Sequence, residues 1–253
     1  MLYDRYQAAR DAAWRTLLKF EVCSLPVNAE EIAARLGIEI LTRPEGQAGA
    51  CLPKSAAVTL RKDGRYRVMM QKGLSYSRYR FALAHELGHI ILQHPMTRLA
   101  DGSLTFTGLE NAGDVMAEPK EDSDTDADMF AIRLLAPACV LHSLHVETRE
   151  GIAALCGLPE GAAAMRADRM ALLDYRNAYG IHPLEKQVQK QFAPFIRKKR
   201  QEQLPERKLP ERPVPDVVLP TPSEAPQRKP LPLWIFAAGA VILMAIGFLL
   251  FRG

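Results

Sequence analysis

The chain has 253 residues, 48% hydrophobic and 25% charged, which is ordinary for a globular protein and excludes a low-complexity or fibrous one. Its net charge of +4 is unevenly placed: residues 1–196 hold 23 Lys/Arg against 24 Asp/Glu, and residues 197–253 hold 10 against 5. The first part is therefore near neutral, which argues against a broad nucleic-acid-binding face, and no direct nucleic-acid binding is expected. The four cysteines, Cys23, Cys51, Cys139 and Cys156, form no CxxC pair. A disulfide framework or a cysteine metal site is not expected, and buried reduced thiols are.

Tyr3 to Phe20 has apolar residues at helical spacing among charges, the pattern of an amphipathic helix and not of a signal peptide. "PVNAEEIAARLGIEILT" predicts a short helix capped by Asn28 and stopped at Gly37, then a strand over "IEILT". The helix alone resembles half of a helix-turn-helix, but the strand straight after it favours a structural role. "AAVTLRKDGRYRVMMQ" reads as a β-hairpin turning at Asp63-Gly64.

Ser75 or Ser77 then caps a helix that carries "RFALAHELGHIILQH". Phe81, Ala84, Gly88 and Ile91 form one apolar stripe, widened by Leu83, Leu87 and Ile90, so His85, Glu86 and His89 are polar groups set against a core. Buried polar groups need partners, and a metal would satisfy all three. Thr97 to Val115 has no clear period and reads as a long loop. The acidic run "EPKEDSDTDADMFAIRLLAP" leads into a helix that Pro137 ends, with Ala127, Phe130, Ala131 and Leu134 on one face. "TREGIAALCGLPEGAAAMRADRMALLDYRNAY" predicts two or three helices with a turn at Gly157-Leu158-Pro159.

Nine of the chain's 18 prolines lie between Gln201 and Pro232, the composition of an extended linker. From Pro230 to Phe251 there is no charge, and Trp234 to Phe251 as a helix would be about 27 Å long, near the roughly 30 Å of a hydrocarbon core. A single transmembrane helix is expected there. The Lys and Arg residues from Arg197 to Lys229 precede it and place the N-terminal part in the cytoplasm, as in a tail-anchored protein of the cell membrane.

In a helix, positions four apart share a face, so His85 and His89 can offer nitrogens to one zinc ion. Glu86 points to the side of that ion. There it can take a proton from a water the metal acidifies and relay it to a leaving amine. Gly88 would let another element pack closely. His94, His142 and His145 rank lower as site candidates, and Tyr76 and Tyr79 are possible oxyanion donors that nothing in the sequence singles out.

"FALAHELGHIILQH" followed by "DTDADMFAIRLLAP" resembles the ImmA/IrrE-type metallopeptidases over roughly Val27 to Pro137. The resemblance implies an α+β, zincin-like minimal metallopeptidase domain of helices with a small sheet, Zn2+ as cofactor, His85 and His89 as ligands and Glu86 as general base. The family's third ligand is a glutamate three before an alanine, and here that position is Asp124, with Glu121 as second choice. Asp128, four residues from Asp124, could support a histidine from behind. The resemblance further implies a specific protein substrate such as a helix-turn-helix transcriptional repressor.

The expected organisation is a metallopeptidase domain over 1–137, a helical extension over 138–196, a basic and Pro-rich linker over 197–232 and a transmembrane helix over 233–251. The rival function is a non-catalytic metal-binding scaffold that tethers a regulatory partner at the membrane. Retention of Glu86 argues against it.

Overall fold

The computed structural model describes residues 2–42, 57–98, 101–106 and 122–203. Met1–Pro205 forms one compact unit, and residues 206–253 lie outside the described residues. Among the described residues no helix is long and apolar enough to cross a membrane, and the span expected at 233–251 is not among them.

Helix α1 (Leu2–Lys19) buries Ala9, Ala13, Trp14 and Leu17, the stripe its spacing predicts. Helix α2 (Ala29–Arg35) starts at Asn28, whose side chain accepts from the Glu31 amide at 3.1 Å, and ends before Gly37 at φ +71°. Strand β1 (Glu39–Thr42) follows directly, and no second recognition helix is present in that stretch. Strands β2 (Ala57–Lys62) and β3 (Arg65–Met70) pair antiparallel, with Lys62 opposite Arg65. The two residues between them, Asp63 and Gly64, both have positive φ (+52° and +76°), as a right-twisting two-residue hairpin requires.

Helix α3 (Tyr76–Ile91) begins at Ser75, whose hydroxyl makes no capping bond to the helix backbone. The stretch read as a loop after it holds two short strands, β4 (Thr97–Arg98) and β5 (Leu104–Thr105). Two residues cannot show an alternating pattern, so pairing partners alone create these strands. The sheet order is β1-β3-β2-β5-β4, with β1 parallel to β3 and the other pairs antiparallel. This is a mixed α+β architecture, in which α3 lies between the sheet and helix α4 (Asp122–Leu135).

Helix α4 buries Ala127, Phe130, Ala131, Leu134 and Leu135 completely. It crosses α3 so closely that a Cβ on Gly88 would come within 3.1 Å of the Ala127 backbone. Helices α5 (Ala138–Ser143), α6 (Arg149–Cys156), α7 (Glu160–Tyr175) and α8 (Pro183–Gln203) complete the unit. Gly157 ends α6 in the left-handed conformation, at the turn the sequence marks. Helix α8 runs on to Gln203, so Arg197–Arg200, where the sequence suggested a linker begins, form its last turns. Gln191 of α8 donates to the Leu17 and Val22 carbonyls and ties α8 to the end of α1.

Candidate metal centre

The site begins with helical phase. His85 and His89 lie one turn apart on α3, and their Nε2 atoms are 3.0 Å apart. Asp124, in the first turn of α4, faces them: its Oδ1 is 3.3 Å from His89 Nε2 and 4.0 Å from His85 Nε2. These three residues form one group with ligand atoms all within 4.8 Å of one another. Atoms held at ~2.0–2.1 Å around a tetrahedral centre are about 3.3 Å apart. The triangle is therefore of the size that one small cation needs.

The acidic run is sorted by the same helical phase. Positions two apart on a helix face nearly opposite ways, and positions four apart face the same way. Asp122 and Asp126 turn toward α1, where both pair with Arg5. Asp124 and Asp128 turn toward α3. Asp128 Oδ1 lies 2.8 Å from His85 Nδ1. Glu121, the second choice for the third ligand, lies outside the described residues.

The outer nitrogens decide the tautomers. A carboxylate accepts only, so His85 Nδ1 carries a proton and donates it to Asp128. His94 Nδ1 lies 2.9 Å from His89 Nδ1. Burial, and next the neighbouring His89, push the His94 pKa down to about 4, so His94 is neutral and its Nδ1 can accept the proton of His89 Nδ1. The sequence ranks His94 low as a site candidate; the turn after α3, with Gln93 at φ +56°, folds it back onto His89. In that tautomer both inner Nε2 atoms turn lone pairs toward each other and the Asp124 carboxylate. Three such atoms at this spacing could hold a cation among them, and the donor set of two imidazoles and a carboxylate suits zinc.

The local field points the same way. Burial alone would lower the His85 pKa, yet its bond to Asp128 and the negative charges of Glu86, Asp128 and Asp124 raise it above the ordinary value. A surrounding that favours an imidazolium also favours a metal cation. Glu86 is buried beside the group, and Thr59 of β2 donates to its Oε2 at 2.6 Å. Thr59 carries no sequence signal of its own, because only the packing of β2 on α3 brings it there. His89 also stacks on Phe106, just past β5, at 5.2 Å between ring centroids.

The other candidates lie elsewhere. Tyr76 is exposed, and Tyr79 is hydrogen-bonded to Glu30 of α2. His142 stacks on Tyr179 and lies 3.3 Å from Asp174, while His145 is exposed in the turn after α5. Beside His94 opens a cleft of ≈ 590 Å³ walled by Tyr66, Ile90, Met96 and Leu104, with Arg61 at its side.

A model of the peptidase M78 family, described as the IrrE N-terminal-like domain, matches residues 33–168. No curated protein matches the chain. The matched segment is 136 of the 253 residues and contains α3 and α4 whole, with the His85, His89 and Asp124 group between them. The chain belongs to this IrrE N-terminal-like family of peptidases.

Proposed function

We propose that this chain is a zinc-dependent endopeptidase in which His85, His89 and Asp124 hold the metal and Glu86 is the general base. One observation carries the reading: two imidazole nitrogens and a carboxylate converge at metal-ligand spacing beside a buried glutamate. Bound there, a zinc ion would polarise a scissile carbonyl and acidify the attacking water. Glu86 accepts the proton from that water and passes it to the leaving amine. Thr59 holds Oε2 of Glu86, which leaves Oε1 for the proton transfer. Asp128 and His94 fix the two imidazole rings from behind. The cleft beside His94 offers room for side chains of an extended peptide.

The substrate in this reading is one specific protein, a helix-turn-helix transcriptional repressor, as the resemblance to ImmA/IrrE-type metallopeptidases suggests. The uncharged run Pro230 to Phe251 and the basic residues before it support a single membrane span at 233–251 with residues 1–196 on the cytoplasmic side. The Pro-rich segment between them would let the peptidase work some distance from the bilayer.

The test uses the full chain in detergent or vesicles. It should carry about one zinc per chain and cleave a candidate repressor, and Glu86→Gln should keep the zinc while losing at least ~100-fold in cleavage rate. A chain without stoichiometric metal, or a Glu86→Gln variant that cleaves as fast as the parent, overturns the reading. Full repressor binding with no cleavage would establish the scaffold instead.

A further inference from the structure

Helix α1 lies outside the segment that matches the family model, yet it reaches the turn that carries Asp124. Arg5 Nε donates to Asp126 Oδ2 at 2.8 Å, and Nη1 contacts Asp122 Oδ2 at 2.5 Å. Nη2 donates to the Asp122 carbonyl. One guanidinium therefore grips α4 two residues before Asp124 and two residues after it. The next residue, Tyr6, lies under the Arg133 guanidinium at 4.1 Å and the Arg169 guanidinium at 4.3 Å. The amino end of α1 is thus fixed against α4 and α7 at two successive residues.

This grip answers a physical problem of α4. The first turn of a helix has the fewest backbone hydrogen bonds, so it is the turn that frays. Like charges four apart, such as Asp122 with Asp126 and Asp124 with Asp128, repel along the helix. A cation at a helix amino end also opposes the helix dipole. A guanidinium that bridges the two carboxylates converts one repelling pair into a clamp.

We propose that Arg5 is a positioning residue for the metal centre: through Asp122 and Asp126 it holds the first turn of α4 in the rotation that presents Asp124 to His85 and His89. The proposal rests on the reading of those three residues as ligands. A turn that frays offers Asp124 for only part of the time, and apparent metal affinity falls by that fraction.

Zinc affinity of the full chain, measured by competition with a chromogenic chelator, tests this. Arg5→Ala should weaken zinc binding about ten-fold, the low end of what contacts behind a ligand contribute. Arg5→Lys should recover only part, because one ammonium cannot bridge two carboxylates bidentately. In an Asp122→Asn/Asp126→Asn background, Arg5→Ala should cause no further loss. Arg5→Met, which keeps the apolar stem, serves as a second variant and should match Arg5→Ala. Unchanged affinity in both, with a parent that binds one zinc, overturns the proposal and leaves the peptidase reading intact. So does an equal loss in the Asn background, or a loss of metal-free melting temperature without a loss of affinity. A parent that binds no zinc overturns the peptidase reading itself, and this inference with it.

Discussion

Glu86 is a buried carboxylate whose Oε2 receives a short bond from Thr59 Oγ1. Thr59→Val keeps the shape of the side chain and removes the donor. An acceptor left buried without its bond costs about 1–3 kcal/mol. The base should therefore reorient, and cleavage should slow by at least ~10-fold while zinc affinity stays unchanged, because Thr59 touches no candidate ligand. Steady-state kinetics beside a zinc titration would separate the two effects. Asp124→Ala should do the reverse and lower zinc occupancy first. If occupancy holds in Asp124→Ala and falls in Glu121→Ala, the third ligand is Glu121. The inner group was legible in the sequence because it depends on helical phase: a spacing of four positions from His85 to His89, and an acidic helix to follow. Thr59 and His94 were not legible. One arrives through a strand packed across α3, and the other through a left-handed residue after the helix, and neither leaves a spacing rule behind.

The site depends on how closely two helices cross. Gly88 sits where a methyl group would meet the Ala127 backbone and the Phe130 ring at 3.1 Å. The sequence indicated this role for Gly88, since glycine inside an apolar helix is costly unless something must approach it. Close approach also suits the shorter aspartate at position 124, because it brings the α4 backbone toward the histidines. Gly88→Ala sets two effects against each other. Helix propensity would favour alanine by about 1 kcal/mol, whereas overpacking a fixed crossing costs typically about 1–3 kcal/mol. The obstruction is backbone, which cannot rotate away, so α4 must shift by a few tenths of an ångström. The expected result is a lower melting temperature together with zinc affinity weakened several-fold; a variant more stable than the parent would show that the crossing has slack. At this scale the hairpin was legible from Asp63-Gly64, because only certain residues tolerate its backbone. Strands β4 and β5 were not, because they exist through pairing with β2 and with each other.

Across the whole unit, the segments are joined by polar groups that the apolar pattern does not reveal. Arg80, buried on α3, donates to the Val27, Cys156 and Gly157 carbonyls and so ties the approach to α2 and the end of α6 to the helix that carries the site. Two buried thiols report on this arrangement. Burial pushes both Cys139 of α5 and Cys156 of α6 up to about 12, whereas Cys23 is exposed. The thiolate is the reactive form, so a native buried thiol is protected by access and by protonation together. With Cys51 replaced by serine, alkylation at pH 8 should modify Cys23 promptly. Cys139 and Cys156 should react slower by on the order of a thousandfold or more, as an opening free energy of about 5 kcal/mol requires. If Met1–Pro205 opens as one unit, the two buried thiols should react at the same rate, although they lie on different helices. A metal that binds only the folded form adds about 2.7 kcal/mol at a hundred times its dissociation constant. Zinc should then slow both thiols equally, by about a hundredfold, without affecting Cys23. Slowing of Cys156 alone would mean that α3 and α6 open apart from the rest, and that Arg80 joins the site to its neighbours only locally.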